Sequence, residues 1–274
     1  MDGLVLGADS AWTISSKDAA GAPVVLNVYN HANKIINLHR QLPLALMAWG
    51  RGSVGGHSIN WLAKELRQRF EGNDPDHPEW KVDIATYTVA DVATRVRKFF
   101  FEEWVLADTG ATGGPQADPL GLLIGGYGSR DEAPAAYTLW VSAGECAAPQ
   151  QVLEHAAGAV WYGQPEALSR LILGFGGNAE QALINLGADP TLAPQYLLEL
   201  RRQTEAPLIE PHLPIQDAIG LADFFVDTTI KFTRYSPGSD TVGGPIELAV
   251  ITKHEGFKWA KRKHYYPYEL NREA

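Results

Sequence analysis

Few stretches of this chain have the residue types and spacing to do chemistry. Residues 50–56, Gly50-Arg51-Gly52-Ser53-Val54-Gly55-Gly56, follow an apolar run and precede a helical pattern, close to the glycine spacing of a dinucleotide-binding turn. That chemistry also needs a parallel strand and a ribose-binding acid downstream, and neither is present. The glycines therefore read as a tight change of direction. The eight histidines form no H-E-x-x-H and no paired ligand spacing, so no metal is expected. No G-x-x-x-x-G-K-[ST] phosphate loop and no G-x-S-x-G nucleophile elbow occurs. Cys146 is the single cysteine, which excludes a disulfide framework and thiolate clusters and fits a reducing compartment. The stretch Phe257–Tyr268 interleaves Lys and Arg with Trp259, Tyr265, Tyr266 and Tyr268, a pattern able to stack on bases. The chain as a whole carries a formal charge of −9, so a subunit contact or a solvated strand is the expectation there, with no nucleic-acid partner.

The elements that must hold any site can be read from periodicity. Residues 3–9 (GLVLGAD) form a buried strand closed by an acid, and Pro23–Tyr29 (PVVLNVY) alternates as a second. Asn33–Leu38 and Leu42–Trp49 read as a strand pair turning at His39-Arg40-Gln41, with Ser53 as the N-cap of the following helix. Ile59, Leu62, Ala63, Leu66 and Phe70 share one helical face, and a second helix spans about Val89–Leu106. A loop at Gly110–Pro119 precedes strands at Leu120–Tyr127 and Ala135–Val141, joined by a turn at Gly126–Asp131. A short strand is expected at Val160–Tyr162. Helices at Ala167–Leu173, Ala179–Leu186, Gln195–Arg202 and Ile215–Thr233 follow, and Glu247–Thr252 with Gly256–Ala260 close the chain as a hairpin. This order is not strict βαβα alternation and suits antiparallel sheets stacked face to face in a single domain, residues 1–274. No run approaches 18 apolar residues and no basic leader precedes Leu4, so a cytoplasmic protein without a membrane span is expected.

One ordered set of segments stands out: Asp2-Gly3-Leu4-Val5-Leu6-Gly7-Ala8-Asp9-Ser10, Asn33-Lys34-Ile35-Ile36-Asn37-Leu38, Leu44–Trp49 with Gly50, and Gly243-Gly244-Pro245-Ile246-Glu247-Leu248-Ala249-Val250-Ile251. Together they resemble proteasome β-type subunits and their bacterial homologues, among the N-terminal nucleophile hydrolases. The resemblance implies an α+β fold, a four-layer αββα sandwich of two antiparallel sheets with helices outside. It also implies a threonine-type peptidase that hydrolyses peptide bonds without a cofactor and assembles as a homo-oligomeric ring. In such a site an N-terminal Thr, Ser or Cys attacks the carbonyl and its own α-amino group is the base. Lys34 matches the buried lysine that supports the nucleophile, Asp9 the acid that holds that lysine, and Gly50 the turn whose N–H stabilises the oxyanion.

The chain also departs from the family pattern. The family's nucleophile lies one short strand before the Asp2-Gly3 turn, and the 274 residues begin at that turn. Gln164, in Gly163-Gln164-Pro165, stands where the family has a serine. The family's acid and serine before the Gly-Gly pair fall within Ser239–Val242, where Asp240 fits as the acid only with a one-residue shift and Val242 takes the serine position. The helical stretch at about 176–214 is longer than the family norm. The expectation is a nucleophile-bearing strand encoded upstream of Met1. The alternatives are an inactive structural subunit of such a ring and an unrelated α/β protein that binds small molecules.

Overall fold

A computed structural model of the chain describes residues 3–18, 23–108, 119–142, 144–154, 157–238 and 240–263. Met1, Asp2, most of the Gly110–Pro119 loop, Ser239 and the stretch from His264 through Tyr268 lie outside them.

Continuous apolar runs within Leu120–Gly126 and Glu247–Thr252, flanked by partly buried strands, build two larger antiparallel sheets. In the three-stranded sheet β1 (Leu4–Ala8) pairs with β11 (Glu247–Thr252), which pairs with β12 (Gly256–Lys261). In the five-stranded sheet the order is β10 (Gln150–Val152), β9 (Ala135–Val141), β8 (Leu120–Gly126), β5 (Leu44–Gly50) and β4 (Ile35–Asn37). The period of two divides the central strand β5 between two cores. Leu44, Leu46 and Ala48 face a core shared with α1 (Ile59–Glu71) and α2 (Val89–Arg97), while Ala45 belongs to a cluster with Leu6, Ala8, Ala249 and Ile251 of the three-stranded sheet. The two sheets thus bury side chains against each other, each full Leu or Phe burial contributing about 1.5–3 kcal/mol. On the other side of β1 and β11 packs the long helix α6 (Ile215–Tyr235), preceded by α3 (Glu166–Leu168, continuing as a wider coil through Leu173), α4 (Ala179–Asn185) and α5 (Ala193–Thr204). The described residues form a mixed α/β molecule with antiparallel sheets. None of their helices is long and apolar enough to cross a membrane.

Local chemistry explains where the chain departs from its periodicity. Ser53 does not cap α1. A two-strand turn, β6 (Ser53–Val54) and β7 (His57–Ser58), intervenes, reversing through Gly55 and Gly56 with φ of 58° and 80°. Two consecutive positive φ values are what a type I′ hairpin requires. Ser58 then caps the helix, its Oγ accepting from the Trp61 N–H at 3.2 Å. The expected face of α1 is buried at all five positions. The second helix widens after Arg97 into a π-helical coil, Lys98–Val105, which keeps Phe99, Phe100 and Phe101 buried. Val160–Tyr162 is not a strand, because β10 already occupies the outer edge of β9. The second strand of the ribbon that includes Pro23–Tyr29 (β3) is Trp12–Lys17 (β2), which periodicity did not reveal.

Tyr87 shows how a polar group is accommodated at the base of this core. Its hydroxyl donates to the Tyr127 carbonyl at 2.8 Å, and burial, reinforced by the Asp131 charge, pushes its pKa up to about 12. A raised folded-state value stabilises the fold below the unfolded pKa of about 10, and that stabilisation is lost as pH rises toward 12. Tyr87→Phe is expected to flatten the fall in stability between about pH 10 and 12 and to cost about 1 kcal/mol at neutral pH, read by urea unfolding at several pH values.

Candidate functional site

Asp9 follows the last residue of β1, and its carboxylate is held in a defined pose. Oδ2 accepts from the Ala11 and Gly243 N–H groups, each at 3.0 Å, and Oδ1 accepts from Lys34 Nζ at 2.5 Å. Lys34 stands just ahead of β4, and its carbonyl accepts from the Ala48 N–H at 2.9 Å. Residues far apart in sequence thus form an ion pair whose side chains are 23% (Lys34) and 13% (Asp9) exposed. Such a pair is open enough to meet a ligand and buried enough for its charge to act strongly on one.

Gly50 ends β5 with a φ of 78°. An added Cβ would lie 2.3 Å from the Pro119 carbonyl oxygen, so only glycine fits. In an extended strand, amides two apart point the same way. The Gly50 N–H therefore projects to the side on which the Ala48 N–H meets Lys34.

Asp9, Lys34, Gly50 and Gln164 all line one cavity of about 1810 Å³. It follows β1, the outermost strand of its sheet among the described residues, and every residue from Gly3 through Asp9 lines its wall. One flank is α6, through Leu221, Phe225 and Val226. The other is the inner face of the five-stranded sheet, through Met47, Trp49 and Leu123. The backbone edge of β1 therefore faces a space bounded on two sides by apolar side chains. Trp49 carries an aromatic group in this wall, stacked on Tyr162 at 4.4 Å and meeting Trp140 edge-on at 5.3 Å.

Asp240 is exposed and does not line the cavity; Thr241 and Val242 do. Gln164 Nε2 reaches Thr241 Oγ1 at 3.5 Å, a contact across 77 positions that no local pattern announces. The hydroxyl of Thr241 is thus a cavity residue that reading the chain missed. The basic-aromatic stretch is committed elsewhere as far as it is described. Phe257 and Trp259 pack on the core between the sheets, Arg262 lies 4.8 Å over Trp259, and Lys261 pairs with Asp223 at 2.8 Å. Among the described residues no three of His, Cys, Asp and Glu gather as metal ligands. No protein-family model matches the chain, and no curated protein is significantly similar to it.

Proposed function

We propose that this chain is the scaffold of a proteasome-like peptidase in which a strand ending in a nucleophile lies along β1. The observation that carries the reading is the Asp9–Lys34 pair, which shares with Gly50 the wall of a cavity that flanks the outer edge of β1. A strand of about seven residues spans about 23 Å and sits about 4.8 Å from its neighbour, so it would extend the three-stranded sheet between α6 and the five-stranded sheet. The whole would then be a four-layer αββα sandwich in a single domain. Such a site fits a homo-oligomeric ring that encloses peptide substrates.

The chemistry is acyl transfer. The α-amino group of the strand's first residue takes the hydroxyl proton, and the oxygen attacks the peptide carbonyl. Negative charge grows on the carbonyl oxygen, where the Gly50 N–H can donate. The C–N bond breaks as the proton passes to the leaving amine, and water then hydrolyses the ester to regenerate the hydroxyl. The Lys34 ammonium, fixed by Asp9, stabilises the attacking oxygen as its proton leaves.

The test is to express the gene from in-frame coding sequence upstream of Met1. N-terminal sequencing is expected to find processing that exposes Thr, Ser or Cys upstream of Met1, about seven residues before the Asp2-Gly3 turn, together with cleavage of fluorogenic peptides. An extended protein that folds and exposes such a residue but cleaves nothing would assign the chain to the non-catalytic ring subunit instead.

A further inference from the structure

Behind the Asp9 turn lies a second pair of opposite charges, away from the cavity wall. Glu247 opens β11 and Lys263 stands two residues past β12. Their side chains are 1% and 5% exposed, with Nζ 3.0 Å from Oε2. The same ammonium donates to Ser10 Oγ at 2.7 Å and to the Ala32 carbonyl at 2.5 Å. Ser10 donates its hydroxyl to the Pro245 carbonyl at 2.6 Å and its N–H to the Gly243 carbonyl at 2.9 Å, and its own carbonyl accepts from the Ala32 N–H. One ammonium therefore ties together the residue after Asp9, a residue two before Lys34, and the segment whose Gly243 N–H holds the Asp9 carboxylate.

A serine beside a lysine suggests a nucleophile and its base, but Ser10 is fully buried and does not line the cavity. No substrate carbonyl can reach it. Nor is stability a sufficient role, since a buried ion pair is often no more stabilising than apolar side chains of similar volume.

We propose that Lys263 is a positioning residue for the Asp9–Lys34 pair, and that Lys263, Glu247, Asp9 and Lys34 act as one electrostatic unit of two cations and two anions. The proposal deepens the peptidase reading and rests on it for the reaction served, but the electrostatic link can be tested without turnover. Burial pushes the Lys263 ammonium down and the Glu247 carboxylate beside it pushes it up. Beyond them, Lys34 pushes it down and Asp9 pushes it up. Among the described residues, the charged groups that act on Lys263 are Glu247 on β11, in direct contact, and Lys34 before β4 and Asp9 after β1 beyond it.

The test follows the Lys263 side chain through a pH titration by NMR of the protein labelled with ¹³C-lysine, with Lys263→Arg to assign its signal. Lys34→Gln removes a neighbouring cation and is expected to raise the Lys263 titration midpoint by roughly half to one pH unit; Asp9→Asn removes an anion and is expected to lower it by a similar amount. Lys34→Arg keeps the charge and is expected to leave the midpoint in place. Both changed side chains are partly exposed, and Lys34→Met is the second variant should the glutamine protein not fold. A midpoint unmoved in folded variants overturns the proposal, because the two ion pairs would then not be electrostatically linked. Movement in the same direction in both also overturns it, because that result reports repacking. Loss of the peptidase reading is a separate result, measured by cleavage.

Discussion

Lys34→Ala in the extended, processed protein is expected to lower kcat for peptide cleavage by at least about 10³-fold while leaving KM within a few-fold. The ammonium places a positive charge on the cavity wall, held at 2.5 Å by a carboxylate that two backbone amides fix in turn. Charge that develops at the nucleophile is stabilised there without reorganisation, and an alanine supplies none of it. The fold is expected to survive. Asp9 keeps its two backbone donors and is partly exposed, so the loss of this ion pair should cost on the order of 1 kcal/mol, read as a small fall in the urea midpoint. Loss of activity with a nearly unchanged midpoint is the signature of a catalytic group.

Gly50→Ala is expected to behave differently, losing stability and activity together. An alanine at φ 78° is strained by about 1–2 kcal/mol, and its Cβ would lie 2.3 Å from the Pro119 carbonyl oxygen, an approach that only backbone movement relieves. The expected loss is about 2–4 kcal/mol in urea unfolding, with activity falling as the N–H turns away. Gly56→Ala separates the two causes. Gly56 has a φ of 80° but no atom within 4 Å of an added Cβ, so it carries the same conformational strain alone, about 1–2 kcal/mol. Equal losses at the two positions would remove the close approach from the argument.

How much of this was legible in the chain depends on whether the determinant was local. The alternation of PVVLNVY and the apolar run of ELAVIT give β3 and β11 with their observed ends, and the spacing 59-62-63-66-70 gives the buried face of α1. Asp9 and Lys34 could be singled out only as members of an ordered set; their ion pair is a tertiary contact that neither residue's neighbours specify. Local rules do not place the cap, because Ser53 and Ser58 both satisfy them, and only the reversal at Gly55-Gly56 decides between them. WTISSK carries too few apolar positions to reveal β2, which forms through its pairing with β3. The Gln164–Thr241 contact and the Lys263–Glu247 pair were hidden for the same reason: a buried charge looks like a surface charge until the packing around it is known.

The central claim is that a nucleophile on a strand along β1 is activated by Lys34 and served by Gly50. Its most direct measurement is intact-mass analysis of the extended, processed protein after reaction with a peptide vinyl sulfone, which bonds covalently to an activated nucleophile. The account predicts one adduct per chain, mapped by fragmentation to the N-terminal residue and absent from the Lys34→Ala protein. An adduct elsewhere, no adduct on a folded protein with an exposed N-terminal nucleophile, or an adduct that persists without Lys34 would contradict it.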